Sequence, residues 1–182
     1  MKKLFAFIII AILALSVKAQ NPHLPLVQEK LQALKWLAGN WQGNGWMMNQ
    51  QGVKMPFDQK EIISYRLNNT ILHIEGIGTT GDDTVHHALA IVSFDPQAGK
   101  YNFTSYTHQG GSQHDALVEV KPTTLIWKML TPRGSIRYTI VLNEKGQWFE
   151  VGEFSSDGEK SWNQFFEMTL DNEGLKLSNT KK

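Results

Sequence analysis

The chain has no cysteine among its 182 residues, which excludes disulfides, thiolate metal sites and cysteine nucleophiles. It also lacks an excess of either charge. Against 18 Lys+Arg stand 17 Asp+Glu, a formal +1 that leaves no electrostatic footprint for nucleic acid. The six histidines form no HxH or HExxH pattern, so no metal and no cofactor is expected. No GxSxG elbow is present, and Ser105 reads as a strand serine rather than a nucleophile. Gly43-Asn44-Gly45 is a lone GxG inside a strand and does not suggest a nucleotide. What the chain does have is six Trp and nine Phe, enough large apolar surface for one ordinary folded domain.

The N-terminus changes that composition. Met1-Lys2-Lys3 precedes an apolar run from Leu4 to Val17, and Val17-Lys18-Ala19 puts aliphatic and small residues where a signal peptidase reads them. Residues 1–19 are therefore expected to be a secretory signal, cut between Ala19 and Gln20. The run is shorter than the ~20 apolar residues of a spanning helix, and no cysteine follows it to take a lipid. The expected product is a periplasmic or secreted domain of 163 residues, free of the membrane, with formal charge −2.

Within it, residues 20–38 form an N-terminal segment and helix, and 39–180 a second, different unit. Leu31, Leu34, Leu37 and Ala38 recur at helical spacing between Pro25 and Gly39, which predicts one short amphipathic helix over 25–38. Beyond it, turn signals such as Asn68-Asn69, Asp95-Pro96-Gln97-Ala98-Gly99 and Asn143-Glu144-Lys145-Gly146 recur between alternating segments of eight to twelve residues. There is no room for crossover helices, so consecutive strands must pair antiparallel. The expectation is an all-β fold, a roughly ten-stranded up-and-down barrel preceded by one short helix.

Alternation assigns the faces. Phe57, Gln59, Glu61, Ile63, Tyr65 and Leu67 share the inward face of the second strand; Ile136, Tyr138, Ile140 and Leu142, then Trp162, Gln164, Phe166, Met168 and Leu170, point inward later. Pairing Asp95 with Lys100 sets Phe94 opposite Tyr101, Val92 opposite Phe103, Ala90 opposite Ser105 and Ala88 opposite Thr107. One end of that face is bulky and the other small, so a cavity is expected there, with His86 at its open end. The hairpin from Leu142 to Trp148 closes in two registers: a five-residue loop turns Glu150 inward, a four-residue loop Glu153. Either way an acid joins Glu61 inside, where a carboxylate needs a partner or water.

The passage Gly39-Asn40-Trp41-Gln42-Gly43, directly after the helix, resembles the G-x-W opening of lipocalin-type (calycin) barrels, in which the Trp closes one end. With His86-His87-Ala88-Leu89-Ala90, Phe94-Asp95-Pro96, Ile136-Arg137-Tyr138-Thr139-Ile140 and the stretch from Glu150 to Gly158, it resembles a group of small bacterial lipocalin-like domains of unknown function. The resemblance spans about residues 30–170 and implies a barrel with a ligand pocket. Nitrobindin-like haem barrels open similarly but bind iron through a His on a late strand; here the last histidine is His114, and no haem is carried over. The likeness also implies an Arg packed on the closing Trp, a place Arg137 could fill on Trp41.

The functional expectation is a small, partly apolar molecule bound inside the barrel among Trp41, Glu61, Tyr65, His86, Ser105, Tyr138, Trp148 and Glu150 or Glu153. Two alternatives use the same residues differently. One is an enzyme working by acid–base chemistry through Glu61, His86 and Tyr138; the other is a filled barrel whose loops meet a protein partner.

Overall fold

The computed structural model describes residues 21–114 and 116–174. The expected signal over 1–19, its cut before Gln20 and the expected barrel limit at 180 lie outside the described residues. Among the described residues, helix α1 (Leu24–Gln32) is followed by eleven strands: β1 (Gly39–Met48), β2 (Lys54–Arg66), β3 (Ile71–Thr80), β4 (Asp83–Asp95), β5 (Lys100–Thr107), β6 (Ser112–Gln113), β7 (Leu117–Lys121), β8 (Thr124–Thr131), β9 (Gly134–Leu142), β10 (Trp148–Ser155) and β11 (Asn163–Asn172). They form one curled antiparallel sheet in the order β6-β5-β4-β3-β2-β1-β11-β10-β9-β8-β7. Strands adjacent in sequence are adjacent in space, and β1 pairs with β11, as an up-and-down barrel requires.

The ladder stops at β6 and β7. Across that seam β5 lies against β7, and side chains do the joining. Phe103 of β5 stacks on Trp127 of β8 with ring centroids 4.5 Å apart, and Trp127 stacks on Tyr138 of β9 at 4.3 Å. These three nearly parallel rings bridge the place where backbone hydrogen bonds are missing.

The helix is shorter than its apolar pattern predicts. It ends at Gln32, and the chain runs on to Leu37 in tighter turns whose amides bond three residues back: Leu34 to Leu31 and Leu37 to Leu34. The three-residue spacing of Leu31, Leu34 and Leu37 suits such turns, and all three side chains are fully buried. This segment plugs one end of the barrel. The carbonyls at the end of a helix lack intrahelical donors. Here the Tyr101 hydroxyl donates to the Lys30 carbonyl and the Tyr65 hydroxyl to that of Leu31, each at 2.8 Å. The Trp41 indole N–H likewise donates to the Leu37 carbonyl at 2.8 Å, so the G-x-W tryptophan does close this end.

The Asp95–Lys100 hairpin has the expected register throughout, from Phe94 opposite Tyr101 to Ala88 opposite Thr107. Two expected faces need correction. Leu67 does not continue the inward face of β2; Leu67, Asn68 and Asn69 all take positive φ in the turn, which leaves Leu67 73% exposed. Trp162 and Gln164 do not point inward either. The pairing of β10 with β11 slips at Gly152/Glu153, so Phe165 is an extra residue that reverses the alternation before Phe166.

Leu31→Ala should empty the plug's centre and lower unfolding free energy by ~2–5 kcal/mol, whereas Tyr65→Phe should cost only ~0.5–1.5 kcal/mol, one hydrogen bond. Urea titrations compare the two. Equal, small losses would mean the helix does not close the barrel.

Candidate functional site

Above the plug the barrel is hollow. The cavity has a volume of about 380 Å³ and runs from the Trp148 level to a mouth edged by Met47, Val85, His86 and residues 111–113. Small residues make the room: Gly76 on β3, Ala88 and Ala90 on β4, Ser105 and Thr107 on β5. Gly76 has a specific task, because a β-carbon there would collide with the Glu61 carboxyl. Gly152 does the same for the Tyr138 ring. Facing this small wall are Phe57, Trp127, Tyr138 and Phe166, the last two in edge contact at 5.7 Å. A filled barrel is therefore not what this sequence forms.

Two acids stand on the cavity lining. Leu142 pairs with Trp148, the five-residue register, held by Asn143 Oδ1 accepting from the amides of Lys145 and Gln147. That turns Glu150 inward between Ile140 and Met168. Glu61 comes from β2, paired with Trp41 on one side and Gly76 on the other. Each carboxyl receives one side-chain donor: Gln59 Nε2 donates to Glu61 Oε1 at 2.7 Å, and Trp148 Nε1 to Glu150 Oε2 at 3.0 Å. Gln59 Oε1, also buried, has no partner. Among the described residues, no Lys or Arg lines the cavity.

The acids are correspondingly hard to ionise. Burial pushes Glu61 up to about 7 against the opposing bond from Gln59. Burial and then the charge of Glu61 push Glu150 up to about 8. The pair thus loses its protons in two linked steps around neutrality. Tyr138, desolvated and beside Glu150, is held above the ordinary phenol range. His86 sits at the mouth, where partial burial, then His108 and His87, lower its pKa.

Of the residues expected to line a site, Glu61, His86, Ser105, Tyr138, Trp148 and Glu150 do so. Three do not. Tyr65 is taken by the helix carbonyl. Trp41 lies beneath the cavity, edge-on to Trp148 at 6.0 Å. Glu153 is on the outer face, where it pairs with Arg137 at 2.7 Å because the loop has five residues rather than four. Arg137 accordingly stacks over Trp162 at 4.1 Å and not on Trp41. Sequence reasoning missed Trp127 and Met129, which line the cavity from β8. The alternation Leu125, Trp127, Met129 after Pro122 was the signal that could have found them. His73 and Glu75 share a strand face, but Glu75 engages His87 at 3.0 Å. Among the described residues no three His, Asp or Glu gather as a metal site would require.

No family model matches the chain, and neither does any curated protein. Solved structures do. The crystal structure of Rv2717c from M. tuberculosis aligns with a TM-score of 0.56 at 10% identity, covering 79% of this chain and 96% of that one. The S-type phycobiliprotein lyase CPES from Guillardia theta aligns at 0.50 and 8% identity, covering 81% and 92%. At such identities the likeness shows the fold alone, a lipocalin-like β-barrel.

Raised carboxyl pKa values mean that the folded state holds these protons more tightly than the unfolded chain. The stability they allow is complete below about pH 4.5 and is lost as pH rises toward 7 and 8. At about 1.4 kcal/mol per pKa unit the loss is several kcal/mol. Asp95, Asp157 and Glu159, whose pKa values are lowered, are already ionised across that window. Melting temperature should therefore fall between pH 5 and pH 8.5 in the native chain but not in Glu61→Gln/Glu150→Gln, where the lowered pKa of His86 leaves only a slight rise. Parallel curves would count against a buried acid pair.

Proposed function

We propose that this chain is an exported lipocalin-like barrel that takes one small, partly apolar molecule into its interior, polar end toward Glu61 and Glu150. The carrying observation is the hollow itself, with small residues on one wall, ring faces on the other and two acids on its lining. Its volume of about 380 Å³ lies within the range of small-molecule sites. The likeness to a phycobiliprotein lyase is in keeping with a barrel that holds a small molecule. The reading keeps the chain beside the small exported bacterial barrels its motifs resemble, and it takes residues 1–19 as the export signal. It includes no resident metal or cofactor and no nucleic-acid partner.

An enzymatic use of the same cavity has one observation in its favour: two carboxyls whose pKa values lie near neutrality, where proton donors and acceptors work best. It differs from binding in that a captured compound would be converted, and conversion would stop in Glu61→Gln.

Uncharged N-phenyl-1-naphthylamine added to the purified barrel should brighten and saturate at one molecule per chain. Ser105→Trp, which fills the small wall, should abolish that signal while circular dichroism stays that of the barrel. Brightening that survives this substitution would place the probe on the surface and overturn the reading. Expressed in a bacterium, the exported chain should begin at Gln20 by intact mass; a full-length chain left in the membrane would overturn the export assignment.

A further inference from the structure

Hydrogen-bond supply and demand on the cavity lining are unequal. Glu61 and Glu150 can together accept several hydrogen bonds, yet protein side chains give each of them one. The third acceptor, Gln59 Oε1, is unpartnered although Gln59 is 97% buried, since its amide N–H is committed to Glu61. A lone buried acceptor of this kind carries the cost of desolvation with nothing in return. With the acids ionised, what the site lacks is donors and positive charge. Among the described residues, His86, at the mouth, is the one basic side chain on the lining.

We infer that the barrel is selective for a small organic amine, a primary or secondary ammonium carried on an apolar or aromatic body, with Glu61, Glu150 and Gln59 Oε1 as acceptors for its N–H groups. This rests on the cavity being a ligand site. A primary ammonium brings three donors and one positive charge, which matches three acceptors in a low-dielectric space. The body has a matching surface in the ring faces of Phe57, Trp127, Tyr138 and Phe166, which also attract a cation. Once the acid pair is ionised, a carboxylate or phosphate ligand would meet like charge and acceptors only. A neutral alcohol supplies one donor and leaves the other acceptors unmet.

Binding a cation must also favour the ionised acids. The titratable groups on the cavity lining are Glu61 from β2, His86 from β4, Tyr138 from β9 and Glu150 from β10. Tyr138 keeps its proton throughout neutral pH, and His86 is displaced toward its neutral form. Uptake of an ammonium therefore releases protons from the acid pair, and affinity rises with pH until the amine itself deprotonates.

Isothermal titration with three probes of one shape decides the matter: 4-phenylbutylamine, 4-phenyl-1-butanol and 5-phenylpentanoate. The amine should bind at least about tenfold more tightly than the alcohol, and the acid not measurably. Amine affinity should rise about tenfold or more between pH 6 and pH 8, with proton release visible as a buffer-dependent heat, while the alcohol stays level. Glu61→Gln/Glu150→Gln should erase the preference for amine over alcohol without losing the alcohol. Because that variant removes buried charge, it should fold at least as well as the native chain, which a melting curve verifies. Alcohol binding equal to or better than amine binding overturns the amine assignment and leaves the cavity reading standing. Failure of all three probes, with N-phenyl-1-naphthylamine also unbound, overturns both.

Discussion

The width of the barrel is the constraint from which the rest follows. Eleven strands curl into a sheet wider than the ~8-stranded cylinder that side chains just fill. Something must therefore seal the ends, bridge the seam and occupy or leave open the middle. Each requirement has its own residues. The plug of Leu31, Leu34 and Leu37 seals one end, tied down by Tyr65, Tyr101 and Trp41. The stack of Phe103, Trp127 and Tyr138 bridges the seam. Without cysteines, cross-linking is supplied by packing alone.

The middle is left open on terms that do not favour stability. Leu or Val at positions 61 and 150 would remove the cost of desolvating two carboxyls. Instead the chain spends a glycine at 76 to admit the Glu61 carboxyl and a tryptophan N–H to hold Glu150. Local choices that lower stability while preserving one geometry are what a working site looks like. The outer face shows the contrast. There Glu153 has Arg137, and Glu159 has Lys128 at 2.8 Å, so every acid in those clusters faces a base. Inside, the acids have neutral side-chain donors, Gln59 and Trp148.

Much of this was legible in the order of residues. The hairpin at Asp95–Lys100 could be read because its turn allows one register, and that register alone put Ala88, Ala90, Ser105 and Thr107 on one wall. Glu61 was legible from alternation along a strand with no irregularity before Arg66. What failed, failed for identifiable reasons. Loop length between Leu142 and Trp148 is not encoded by hydrophobicity, and a single residue there exchanges Glu150 for Glu153. The extra residue at Phe165 leaves no mark in composition, yet it reverses Trp162 and Gln164. Tyr65 was placed on the correct face but at the wrong depth: alternation gives the side of a sheet, not the distance to a plug 34 residues away in sequence.

Depth also decides how a molecule would lie. Glu61 pairs with Trp41, and Glu150 is two residues from Trp148, so both acids sit next to the sealed end. Met47, Val85 and His86 are at the other end, beside solvent. A molecule entering by the mouth passes the ring faces first and meets the acids last. In the binding mode proposed above, its polar group would travel deepest and its apolar body would be left against Phe57, Trp127 and Phe166. This inverts the arrangement of an ordinary apolar pocket, where the charged end of a ligand stays in water. It also means that water held by the polar group must be surrendered inside the barrel. That exchange is favourable only for a group which the two acids and Gln59 Oε1 can satisfy in full, so in the proposed binding mode the same depth that makes the acids costly would make them discriminating.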